Sequence, residues 1–271
     1  MHKHPCPSVP SVVKNDPDRA SIVFQLRDTR HEARFSVPSG YRVVLIGVMS
    51  TQQTARPVVV APSLLAADFS NLGYEIRRAV DAGADWLHLD VMDGHFVDNI
   101  SFGPAMVAMA HDVSDVFLDV HLMISRPDHY LPRFIEAGAD LVSVHVEANH
   151  DVALTLRQIR DAGLRAGLAL NPATPLAAVE PYFADIDLLL CMTVVPGFGG
   201  QAFIPGVLEK IKDAARLKEK HGFNFHIEVD GGIDAHSAAA CRTAGADVLV
   251  AGSSTFRAAD MAAAIHAIRG A

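Results

Sequence analysis

Three short stretches carry residues that could do chemistry together. In Trp86-Leu87-His88-Leu89-Asp90-Val91, in Asp119-Val120-His121-Leu122-Met123 and in His226-Ile227-Glu228-Val229-Asp230, polar or aromatic residues alternate with aliphatic ones. A strand sends every second side chain to the same face. His88 and Asp90 therefore share a face, His121 shares one with Asp119 and Met123, and Asp230 shares one with His226 and Glu228. Gathered at one end of a fold, His88, Asp90, His121 and Asp230 offer two imidazole nitrogens and two carboxylates. That donor set suits one divalent metal ion, Zn²⁺ first, with Fe²⁺, Mn²⁺ or Co²⁺ as substitutes, and it needs no thiolate. Any one of these histidines alone is as readily explained by a core or surface hydrogen bond. The set is not, because burying several ionisable groups without a cation costs on the order of several kcal/mol each. Asp119, Glu228 and His145 fall nearer mid-strand and are read as supporting members of an internal polar layer.

Glycines form a second group: Gly197-Phe198-Gly199-Gly200, Gly231-Gly232 directly after Asp230, and Gly252-Ser253. Backbone without side chains approaches an anion closely, and these turns contain no lysine or arginine. They predict a phosphate held chiefly by backbone amides. Met92, Met123 and Met192 lie at or just beyond strand-like runs. They serve either as packing or as an adaptable apolar lid that keeps water from the site.

The elements that must position these groups are legible after Pro57. Strand-like runs are Val58 to Ala61, Trp86 to Val91, Phe117 to Leu122, Leu141 to Val146, Ala166 to Leu170, Leu188 to Thr193, Phe225 to Val229 and Val248 to Ala251. Helix-like segments follow them, including Leu72 to Ala82, Pro127 to Ala137, Val152 to Ala162, Pro205 to Lys220, His236 to Ala244 and Met261 to Ile268. An Ala-Gly-Ala-Asp echo at Ala82, Ala137 and Ala244 separates a helix from the next strand, with the glycine expected to end the helix. Eight such units predict an α/β fold, a (β/α)8 barrel of TIM type. Functional groups in these barrels project from the C-terminal strand ends, with phosphate commonly bound after strands 7 and 8. No G-x-G-x-x-G follows a strand, which argues against a dinucleotide-binding sheet.

The chain of 271 residues carries a formal net charge of −8 and is 50% hydrophobic, enough for a sizeable core. Residues 1–56 hold eight basic and four acidic side chains; the remainder holds fifteen and twenty-seven. The acidic body excludes a nucleic-acid footprint, and no apolar run approaches the length of a bilayer span. Residues 1–56 read as an N-terminal extension, poorly ordered or dispensable, and residues 57–271 as a single catalytic domain. Met49 has the setting of an ordinary start, so residues 1–48 are expected to be dispensable. Three unpaired cysteines, Cys6, Cys191 and Cys241, fit a reducing, cytoplasmic setting. Every lysine after Pro57 lies in one helix-like segment, which excludes a Schiff-base mechanism at a strand end.

The body resembles the ribulose-phosphate 3-epimerase family. The resemblance rests on Ala61 through Phe69 (APSLLAADF), His88 through Phe96 (HLDVMDGHF), Asp119 through Met123 (DVHLM), Asn171 through Leu176 (NPATPL), Pro196 through Gln201 (PGFGGQ), Glu228 through Gly232 (EVDGG) and Ala251 through Ser253. It implies a barrel of the ribulose-phosphate-binding type and a cytoplasmic, metal-dependent enzyme of the pentose phosphate pathway that interconverts D-ribulose 5-phosphate and D-xylulose 5-phosphate. It further implies His88, Asp90, His121 and Asp230 as metal ligands and Asp90 and Asp230 as the acid and base. Ser63, His121, Gly197, Phe198, Gly199, Gly200, Gly231, Gly232, Gly252 and Ser253 match substrate contacts. Family members often form homo-oligomers, and the implied partner is a small sugar phosphate, with no nucleic acid and no membrane. Asp98 replaces a usual proline and Val195 a usual polar residue, neither at a ligand position. The strand-2 string lacks the lysine of the related decarboxylases and hexulose-phosphate synthases. An epimerase for a hexulose 6-phosphate such as allulose 6-phosphate, and a non-catalytic phosphosugar-binding barrel, remain as rivals.

Overall fold

A computed structural model of the chain describes residues 11–13, 21–26, 42–47 and 56–270. The chain divides into two units, residues 1–56 and 57–271. In the first, Ser11–Val13, Ser21–Leu26 and Arg42–Gly47 form a three-stranded sheet whose middle strand runs antiparallel to the first and parallel to the third. No strand was expected there, yet Ile22-Val23-Phe24 and Val43-Val44-Leu45-Ile46 are apolar and rich in β-branched residues, as strands are. The expectation about residues 1–48 and Met49 falls mostly outside the described residues.

The second unit contains eight parallel strands: β1 (Val59–Pro62), β2 (Trp86–Met92), β3 (Phe117–Met123), β4 (Leu141–His145), β5 (Arg165–Leu170), β6 (Leu188–Met192), β7 (His226–Asp230) and β8 (Val248–Ala251). They follow one another around the sheet in chain order and β8 pairs with β1. The seam between β1 and β2 carries a single parallel bridge, Ser63 to His88, so the barrel is nearly closed.

Helices α1 (Leu72–Asp81), α2 (Pro104–Val113), α3 (Pro127–Glu136), α4 (Val152–Asp161), α5 (Val207–His221), α6 (Ala235–Ala244), α7 (Ser253–Phe256) and α8 (Met261–Arg269) lie in the connections. One connection corrects the expectation of eight regular units. Between β5 and β6 the chain forms only two single-turn 3₁₀ segments, Leu176–Ala178 and Glu180–Tyr182. Pro172, Pro175 and Pro181 explain this, since each removes a backbone donor that an α-helix would need.

Alternation along the strands sorts the interior. Leu87, Leu89, Leu118, Val120 and Leu122 pack outward in the shared core with helix residues such as Ile76 and Phe134. Inside the barrel, Trp86, Leu141, Leu188, Leu190 and Val248 make an apolar floor, with the Trp86 and Phe117 rings 4.6 Å apart. Above it lie buried His88, Asp119, Ser143 and Glu228. Register produces this layer, because His88 pairs with Asp119 and Asp90 with His121 across β2 and β3.

At the N-terminal end, four aspartates clamp the strands. Val60 N donates to Asp85 Oδ2 (2.8 Å), Leu118 N to Asp140 Oδ2 (2.8 Å), Ala166 N to Asp187 Oδ2 (2.9 Å) and Ile227 N to Asp247 Oδ1 (2.8 Å). Each aspartate N–H returns a bond to the carbonyl of the residue it receives from. Three of the four close the Ala-Gly-Ala-Asp echo, so the repeat marks the end of the barrel remote from the site.

Candidate active site

The C-terminal ends of β2, β3 and β7 bring His88, Asp90, His121 and Asp230 together. One donor atom from each lies within 4.8 Å of the others. His88 Nε2 and His121 Nδ1 both sit 3.4 Å from Asp90 Oδ1. Both nitrogens are buried and have no hydrogen-bond partner. Two imidazole nitrogens without hydrogen-bond partners beside two carboxylates fit a divalent cation, so these residues could hold one.

The surroundings of each group are specific. His88 Nδ1 lies 2.6 Å from Asp119 Oδ2 and 3.6 Å from Glu228 Oε1. The Ser63 hydroxyl donates to Asp90 Oδ2 at 2.5 Å, and the Ser101 hydroxyl donates to the Asp90 carbonyl. Thr193 holds the turn after β7, its hydroxyl donating to the carbonyls of Asp230 (2.8 Å) and Gly231 (2.6 Å). His145 requires a correction. Instead of lying mid-strand it ends β4, and its Nε2 sits 2.8 Å from His121 Nε2.

Electrostatics separates the two aspartates. Burial, and then the Asp90 charge, pushes the Asp230 carboxyl up to about 7. Burial pulls Asp90 the same way, but the His88 charge and the closeness of both imidazoles, each 3.4 Å from Oδ1, outweigh it and hold Asp90 far below the usual carboxylate range. Burial, opposed by the nearby Asp90 carboxylate and helped by the neighbouring His145 and His88 rings, takes His121 down to about 4. Burial would also lower His88, yet Asp119 and Asp90 hold it well above the ordinary imidazole value. Burial and the neighbouring Asp119 raise Glu228.

Above this cluster opens a cavity of about 590 Å³. Ser63, Asp90, Met92, Met123, Met192, Gly197, Phe198, Gly199, Gly200, Asp230, Gly231, Gly232, Gly252 and Ser253 line it, and no lysine or arginine does among the described residues. His88 and His121 lie behind Asp90, fully buried. The three methionines, each at most 3% exposed, form its apolar wall. At Gly232 the backbone is left-handed (φ 65°), and a Cβ would stand 2.5 Å from Phe203 N. Only glycine fits there. Sequence reasoning missed Asn99, whose Nδ2 donates to the Gly197 carbonyl at 2.7 Å and ties the loop after β2 to the glycine loop after β6. It also missed Thr193, which follows β6 and bonds to the end of β7, and Glu147, which lies two residues past His145 and bonds to it, a signal that a scan beyond the strand ends would have found.

Residues 59–256 match the model of the ribulose-phosphate 3 epimerase family. Over 214 residues the chain is 50% identical to the ribulose-phosphate 3-epimerase of Bacillus subtilis (strain 168), covering 79% of this chain and 99% of that protein. It is 49% identical over 217 residues to the enzyme of the same name from Synechocystis sp. (79% and 94%). It is 48% identical over 214 residues to the chloroplastic ribulose-5-phosphate-3-epimerase of Arabidopsis thaliana (78% and 76%). Among solved structures, a 3-hexulose-6-phosphate synthase superposes with a TM-score of 0.55 at 19% identity, covering 79% of this chain and 96% of that one. Thiamine phosphate pyrophosphorylase from Pyrococcus furiosus gives 0.54 at 15%, covering 80% and 95%. These two likenesses bear on the barrel alone. The matched span and the identity to whole relatives show that the chain belongs to the ribulose-phosphate 3-epimerase family.

Proposed function

We propose that the body interconverts D-ribulose 5-phosphate and D-xylulose 5-phosphate by passing protons at C3 between the sugar and Asp90 and Asp230. The observation that carries this is the meeting of two carboxylates from non-adjacent strands, β2 and β7, whose surroundings push their protonation apart. Inverting a carbon next to a ketone requires removing its proton from one face and delivering one to the other. Asp90, ionised and fixed by Ser63, accepts the C3 proton as the C3–H electron pair moves into an enediolate. Asp230, protonated up to about 7 in the cation-free site, donates its proton to C3 from the opposite face. In the reverse direction the two exchange tasks.

His88, Asp90, His121 and Asp230 would hold a divalent cation, with Zn²⁺ the first candidate, and the chemistry it supplies when bound is stabilisation of the enediolate charge. The glycine turns after β6, β7 and β8 offer backbone to the phosphate. Met92, Met123 and Met192 would keep water from the reacting carbon.

Solvent exchange in deuterium oxide tests the reading. The wild-type protein is expected to exchange the C3 hydrogen of ribulose 5-phosphate while forming xylulose 5-phosphate. Asp90→Asn and Asp230→Asn should each lose at least ~10²-fold in turnover. Full activity in both variants, or full speed after exhaustive chelation, would overturn the assignment. A large preference for allulose 6-phosphate would move the substrate to a hexulose.

A further inference from the structure

An imidazole holds a cation through a bare nitrogen, since a ring N–H has no lone pair to give. For His88 the arrangement is direct. Asp119 accepts from Nδ1 at 2.6 Å, so Nε2 is the nitrogen turned towards Asp90. His121 has no carboxylate behind it. Its Nε2 faces His145 Nε2 at 2.8 Å, a neighbour that could either give or take a proton. Asp90 Oδ1, 3.4 Å from His121 Nδ1, draws the proton to the wrong nitrogen.

The decision lies one residue further out. His145 Nδ1 is 3.0 Å from Glu147 Oε2. The other oxygen of Glu147 accepts from Asn171 N at 2.8 Å and from the Thr174 hydroxyl. Burial would raise the Glu147 carboxyl, but the bonds from His145, Asn171 and Thr174 hold it at about 2. It is therefore an acceptor only. Facing it, His145 directs its ring proton from Nδ1, and its Nε2 is then the acceptor in the 2.8 Å contact with His121. His121 must then donate from Nε2, and its Nδ1 is left bare towards Asp90. The His145 ring is fully buried, with the Phe96 ring 4.8 Å away, so it cannot turn freely. We propose that His145 and Glu147 form a relay that locks His121 in its Nε2–H tautomer. Glu147, in the loop after β4, thereby becomes a positioning residue for the site. The inference rests on the reading of that site as a cation site.

Glu147→Gln discriminates. Asn171 N–H and Thr174 keep the amide oxygen on their side, so the amide NH₂ faces His145 Nδ1 and every bond in the chain reverses. The full-length protein, labelled with nitrogen-15 at histidine and freed of metal by a chelator, is measured at mildly alkaline pH by long-range proton–nitrogen correlation. His121 is assigned by the signals lost in His121→Asn. The expected result is Nε2–H for His121 in the wild type and Nδ1–H in Glu147→Gln, with zinc affinity reduced ~10–100-fold. A merely structural Glu147 would lower melting temperature and affinity without moving the tautomer, and that outcome overturns the relay. Should Glu147→Gln fail to fold, His145→Leu removes the acceptor and is expected to shift His121 to Nδ1–H; an unmoved tautomer there overturns the relay as well. A wild type that shows the expected tautomer and switch but binds no zinc upholds the relay and removes the cation reading instead.

Discussion

Asp93 organises the loop that follows β2. Its carboxylate accepts from the backbone N–H of Ser125, His95 and Phe96 and from the Ser125 hydroxyl, all at 2.8 Å. Burial works against ionisation, but these donors prevail and hold the carboxyl at about 2. A carboxyl whose folded value is depressed adds stability above its unfolded value and loses it as pH falls through the folded one. Urea unfolding should therefore show wild type more stable than Asp93→Asn at neutral pH, with the gap closing between about pH 4 and pH 2. A gap that persists at the acid end would refute this. At this scale the grouping of His88, Asp90, His121 and Asp230 was legible because strand alternation needs only neighbouring residues. Thr193 and Asn99 were not, because each acts through a partner distant in sequence that only the fold brings near, and Glu147, only two residues from His145, reaches His121 through a strand pairing that only the fold shows.

Among the elements, the aspartate clamps do their work at the barrel end away from the cavity. Asp247 is nearly buried and satisfies the buried Ile227 N–H. Asp247→Ala leaves that donor orphaned and should cost ~1–3 kcal/mol in urea unfolding, with turnover per folded molecule unchanged. The turn after β7 behaves oppositely. Gly232→Ala adds a methyl against Phe203 N on left-handed backbone, so the turn must move. It is expected to raise KM for ribulose 5-phosphate several-fold more than it lowers kcat, measured in steady state. The strands were readable because each is a short aliphatic run, continuous or alternating with polar residues, and the echo gave away their spacing. The β5–β6 connection was not, since single-turn 3₁₀ segments have no periodicity to detect and proline-rich composition suits loops equally well.

For the whole molecule, 214 residues of this chain match the Bacillus relative over 99% of its length, and the family model falls on residues 59–256. Removal of residues 1–48 is accordingly expected to leave kcat/KM and melting temperature unchanged. A drop in either would assign the extension a task. Among the described residues no helix is long and apolar enough to cross a membrane. The cavity carries no cationic side chain among its described lining residues, in a chain whose formal charge is −8. The phosphate ester proposed above would then find no lysine or arginine in the described lining to draw it in, and an acidic chain adds no long-range attraction. Added potassium chloride should then leave kcat/KM flat or increase it, whereas a steep fall would reveal a hidden electrostatic funnel.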